Sequence, residues 1–73
     1  MKITVLTEEQ LATARETTRI TMQACSILQR DPRWEERAQE VAKQMLVIAG
    51  MNEQSLSYQL TLNDIVESVK IAL

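Results

Sequence analysis

Asp31-Pro32-Arg33-Trp34-Glu35-Glu36-Arg37-Ala38-Gln39-Glu40-Val41-Ala42-Lys43-Gln44-Met45-Leu46-Val47-Ile48-Ala49-Gly50 is a helix with its start and stop written in. Pro32 and Gly50 are the only proline and the only glycine in the chain. Proline suits the first helical position because the N–H it lacks has no partner there. Asp31, just before it, is a good N-cap. Glycine just past the end takes the left-handed conformation that terminates a helix. The punctuation predicts a helix over 32–49. Trp34, Ala38, Val41, Ala42, Met45, Leu46 and Ala49 recur at helical spacing and form one apolar face. Arg33, Glu36, Arg37, Glu40 and Lys43 take the other side, with Arg33–Glu36 and Glu40–Lys43 spaced for weak ion pairs.

Upstream, Lys2-Ile3-Thr4-Val5-Leu6 is rich in β-branched residues and partly alternates, which predicts a short strand over 2–6. Thr7 with Gln10 three residues on matches a capping box, and Glu8 and Glu9 suit the positive end of a helix dipole. A helix is therefore expected from residue 8. It meets no breaker before residue 29. Leu11, Ala14, Met22, Cys25 and Leu28 form one stripe on it, and Ala12, Ile20, Ala24 and Ile27 a second. Two stripes call for two neighbours. Thr13, Thr17, Thr18 and Thr21 lower the intrinsic helix propensity, so packing must hold this helix.

After Gly50 the chain turns polar. Ser57 to Leu60 reads as a second extended segment near 57–60, which could pair with the first as a two-stranded ribbon. Thr61 with Asp64 resembles another capping box, and Leu62, Ile65, Val66, Val69, Ala72 and Leu73 then mark a helix over 62–72. The fold class expected is mainly α: a three-helix small domain with helices near 8–29, 32–49 and 62–72, spanning 1–73 as one unit. A chain of 73 residues buries only about 60% of the surface its unfolded form exposes. No disulfide framework or metal cluster is available to staple it, so a homodimer or a tight hetero-complex is expected.

The formal net charge of -2 gives no global attraction to nucleic acid or anionic lipid. Cys25 is the sole cysteine, which points to a reducing compartment and a cytoplasmic location. The opening residues do not read as a signal peptide. The longest apolar run, Met45 to Ala49, is far too short to cross a bilayer, so no membrane role is expected.

The residue types exclude most site chemistry. One glycine cannot build a phosphate-binding loop. Histidine is absent, so Cys25 has neither the base a thiol nucleophile needs nor partners for zinc. Glu35, Glu36 and Glu40 fall on a polar helix face, where nothing separates their pKa values for acid–base work. The expectation is a protein without enzymatic activity, cofactor, metal or small-molecule substrate. Met22, Met45 and Met51 read as core fillers, with an adaptable partner groove as the alternative.

What remains is binding. The leading expectation is a protein–protein interaction module: a small adaptor, inhibitor or regulatory subunit that acts by surface occlusion or bridging. Its partner is another protein, with self-association likewise expected. The candidate partner-binding residues are Arg15, Arg19, Arg30, Arg33, Trp34 and Arg37. Arginine binds carboxylate or phosphate bidentately, and Trp and Arg dominate interface hot spots. Trp34 shares a stripe with Ala38 and Val41, so its first expectation is a buried anchor. The alternative is a dimeric DNA-binding regulator. The opening Lys2 to Thr7 followed by helix, turn and helix resembles the ribbon-helix-helix family. That resemblance implies paired strands from two subunits, with Lys2 and Thr4 facing the major groove. The chain departs from the pattern in its long first helix, its proline-containing turn and its barely basic N-terminus.

Overall fold

The computed structural model describes residues 3–73. Three helices follow in chain order: α1 (Glu8–Gln23), α2 (Pro32–Ile48) and α3 (Leu56–Ala72). Each packs against the other two, giving a three-helix bundle.

The starts and stops of α2 are those its sequence dictates. Asp31 caps the helix, its carboxylate accepting from the Arg33 N–H at 2.9 Å, and Pro32 occupies the first turn. At the other end Gly50 has φ +85°, the left-handed region that a Cβ disfavours. The Gly50 N–H donates to Val47 O and the Met51 N–H to Leu46 O, each at 3.0 Å. This pair of bonds is the Schellman arrangement, and it satisfies two carbonyls the helix end would leave without partners. Thr7 and Gln10 form the expected reciprocal capping box at the start of α1.

Two boundaries differ from the sequence reading. Helix α1 stops at Gln23, not near 29. At 1.5 Å per residue the three helices are about 24–26 Å long. Continuing to residue 29 would take α1 to about 33 Å, beyond the ends of its neighbours. The chain instead leaves the helix and turns Cys25 and Ile27 against the core. Gln29 then donates from Nε2 to Lys70 O at 2.7 Å, satisfying a carbonyl in the last turn of α3. Helix α3 begins six residues before the expected 62. Ser55 is its N-cap, accepting from the Tyr58 N–H at 3.1 Å, and residues 57–60 are helical rather than extended. The core stripe of α3 accordingly runs back one more turn, to Tyr58.

The expected strand over 2–6 is a single bridge among the described residues. Ile3 donates to Gly50 O at 2.8 Å and accepts from the Asn52 N–H, a parallel bridge opposite Met51. The two-stranded ribbon with residues 57–60 does not form, because those residues have given their backbone bonds to α3. Lys2 lies outside the described residues, and Thr4 is exposed in a bend.

The core is aliphatic around two aromatics, Trp34 and Tyr58. Trp34, Met22, Leu46, Met51, Ile65 and Val69 are each no more than 2% exposed. Ala38 and Ala42 are fully buried, so only methyl groups separate that part of α2 from its neighbours. The thin contribution comes from α1, whose buried residues are Ala14, Thr18 and Met22. Its expected second stripe is exposed at Ala12, Ile20 and Ala24, whereas Ile27 packs on the core; Leu28 of the first stripe is exposed. The apolar faces of the helices meet within one chain, so the core itself does not call for the expected second copy.

Substituting Gly50→Ala should lower stability by about 1 kcal/mol, read as a reduced urea midpoint with unchanged slope. An added Cβ meets no atom within 4 Å, so the cost is one of backbone conformation alone. The Thr18 hydroxyl is fully buried and without a hydrogen-bond partner. Thr18→Val should therefore raise stability by about 1 kcal/mol, the cost of a buried unsatisfied hydroxyl, read as an increased urea midpoint.

Candidate functional site

The six residues expected to bind a partner do not converge. Trp34 is 2% exposed and anchors the core, so its surface is spent on packing. Arg15 reaches across the bundle from α1 to Asp64 on α3. Both side chains are 43% exposed, so the pair contributes at most about 1 kcal/mol. Arg19 bonds Glu16 and Gln23 on its own helix. Arg33 turns back to Asp31 at 2.8 Å, and Arg37 pairs with Glu40 at 3.3 Å. The pairs inferred from spacing, Arg33–Glu36 and Glu40–Lys43, are thus replaced. Asp31 is already fixed as the N-cap and offers Arg33 two oxygens at short range. Arg30 is exposed in the α1–α2 connection and has no ion pair among the described residues. Arg15 and Arg19 share a cleft, a cavity of about 180 Å³ between α1 and α3.

These pairings shape the electrostatics. Asp31 is held below the ordinary carboxylate value, first by the Arg33 guanidinium and then by the Arg33 backbone N–H. Glu16 is lowered by its hydrogen bond to Arg19. Tyr58, almost buried, has its phenol raised by burial and then by the charge of Glu53. With Glu16, Asp31, Glu40 and Asp64 engaged, the acids without an ion pair among the described residues are Glu8, Glu9, Glu35, Glu36, Glu53 and Glu67. The corresponding bases are Arg30, Lys43 and Lys70. Among the described residues the charges left without an ion pair are therefore mostly acidic.

A different surface stands out at the end of α2. Ile48 is 78% exposed and Val47 50% exposed. Ile48 forms a ridge between two open grooves of similar size. One, about 420 Å³, runs between the start of α1 and the end of α2, with Ala14, Met45 and Ala49 beside Ile48 and with Glu9, Gln10 and Thr13 on α1. The other, about 410 Å³, lies between α2 and the start of α3 and includes Val47, Lys43, Glu53 and Tyr58. Sequence reasoning passed over this surface. Its signal lay in the run Met45-Leu46-Val47-Ile48-Ala49: five consecutive apolar residues on one helix cannot all face the core. Met45 is both packed on the core and present in the first groove, so the core and groove readings of that methionine coexist.

Among the described residues no group of three or more Cys, Asp or Glu side chains is placed to hold a metal ion. No helix is long and apolar enough to cross a membrane.

The Asp31 cap provides a direct test of this electrostatic picture. Its carboxyl should titrate by NMR below the ordinary 3.8, and Arg33→Gln should move the midpoint back toward that value. A lowered folded-state value stabilises the fold above the ordinary one, and this contribution disappears as pH falls through the lowered one. The wild-type chain should therefore lose more stability than Arg33→Gln across that acid window. Comparison with protein-family models, with curated proteins and with solved structures finds no match for this chain.

Proposed function

We propose that this chain is a non-enzymatic protein–protein interaction module that acts by occluding or bridging surfaces, with the Ile48 ridge and its flanking grooves as the contact region. The observation that supports this reading is the exposure of Ile48 and Val47 on a domain whose three helices already close a core. Exposed aliphatic side chains rimmed by polar residues mark interaction sites. The exposed arginines, Arg30 above all, are secondary contacts in this reading. Self-association, if it occurs, belongs to exposed faces such as Ile20 of α1, not to completion of the core. A reducing, cytoplasmic setting accords with Cys25, which is a free thiol packed partly against the core.

The DNA-binding alternative draws no support from the arrangement. Four arginines are ion-paired within the chain, and Ile3 is bonded to Gly50 and Asn52 of its own chain. Duplex affinity rests on phosphate neutralisation by Lys and Arg and falls steeply with salt.

The deciding experiment is a tagged pull-down of the full chain from source-cell lysate, with and without nuclease, repeated with Ile48→Asp. A stoichiometric protein partner that survives nuclease and is lost with Ile48→Asp is the expected result. Recovery of nucleic acid, with binding that collapses on added salt and with Lys2→Glu, would overturn the reading in favour of a DNA-binding regulator.

A further inference from the structure

The groove between α1 and α2 differs from its neighbour in one respect. The second groove carries both signs of charge, Glu40 and Glu53 with Lys43. Among the described residues the first carries one sign only: Glu9 is its charged residue, the other polar positions being Thr7, Gln10 and Thr13. Glu8 adds a second acid in the same turn of α1. Neither acid has an ion pair among the described residues. Their first role is local, since acids in the first turn stabilise a helix. Their second is to make the rim of an apolar groove anionic.

Shape narrows the occupant further. The groove follows α1 from Thr7 to Ala14, a length of about 10 Å, or two helical turns. Ala14 and Ala49 keep its floor low, and Met45 and Ile48 supply adaptable and branched apolar surface. Two helices side by side form a seat for a third, whose apolar side chains enter at i, i+3, i+4 and i+7. A second copy of this chain fits poorly. In a two-fold contact the same patch meets itself. Both copies would bring Glu8 and Glu9 to a single interface, where the described lining of the groove holds no base to offset them.

We propose that the α1–α2 groove receives one amphipathic helix of a partner protein whose apolar stripe is flanked by lysine or arginine. This rests on the interaction reading above and names the partner's chemistry. Ile48, otherwise 78% exposed, becomes the ridge against which the helix packs, and Glu9 pairs with its basic flank.

The test uses the full chain, labelled for NMR, and three synthetic helical peptides of about 14 residues, or four turns. Two share one leucine stripe and differ only in lysine or glutamate flanks. The third keeps the lysines but replaces the leucines with glutamine. The lysine–leucine peptide should bind about tenfold more tightly than its glutamate twin. It should shift the amides of Thr13, Ala14, Ile48 and Ala49, and the glutamine peptide should not. Glu9→Lys, with its folding checked by the dispersion of its own amide spectrum, should reverse the preference between the leucine peptides. Equal binding of the two, shifts centred on the second groove, or no binding by either would overturn the proposal. Concentration-dependent shifts of the same amides without peptide would also overturn it, assigning the groove to a second copy. The interaction reading stands or falls separately, on the loss of the captured partner with Ile48→Asp.

Discussion

The left-handed turn at Gly50 is the joint on which this small domain is assembled. By taking φ +85° it ends α2 and directs Met51 inward, where it is 1% exposed. The same turn presents Gly50 O and the Asn52 N–H to Ile3, so the N-terminal segment is tied to the far side of the chain by two backbone bonds. Asn52 then starts the next helix. Its side chain accepts from the Gln54 N–H, its carbonyl accepts from Ser55, and Ser55 caps α3. A residue with a Cβ would resist this conformation, and each dependent contact would have to shift with it. The turn also explains the exposed ridge. It ends α2 with Val47 and Ile48 on the outside, while Leu46 and Met51 take the core.

Around that joint the bundle is held mainly by small and aliphatic side chains. Ala38 and Ala42 let α2 sit close to its neighbours, and Trp34 fills the end that the alanines leave open. The buried Thr18 hydroxyl is a weakness inside this packing, since it lost its water and gained no partner. A domain of this size has little stability to spare, so a single unsatisfied group is a sizeable fraction of the total.

Ion pairs show how local geometry decides which charges a protein can use. Three of the four pairs join residues two or three apart, and only Arg15–Asp64 links two helices. A long guanidinium side chain takes the nearest carboxylate that is already held in place, as Arg33 does with the capping Asp31. The central arginines therefore neutralise their own surroundings, and the remaining acids set the character of the surface.

Sequence by itself determined the class of the fold, the whole of α2 and the cap of α1, because those features follow from rules within a few residues: a proline and a glycine in their favoured places, a Thr–Gln box, an apolar face at helical spacing. It also marked Trp34 as a core anchor through its shared stripe. Tertiary structure alone decided where α1 stops and α3 starts. The end of α1 follows from the length of the neighbouring helices and from the bond Gln29 makes to α3, and the α3 stripe packed in the core selects the Ser55 cap over the competing Thr61–Asp64 pattern. It also decided which side chains stay exposed. Four of the arginines named as candidate contacts pair with separate acids, and the helical period divides the run 45–49 into residues facing inward and the ridge at Ile48. Which side of a helix faces water is settled only when its neighbours are in place.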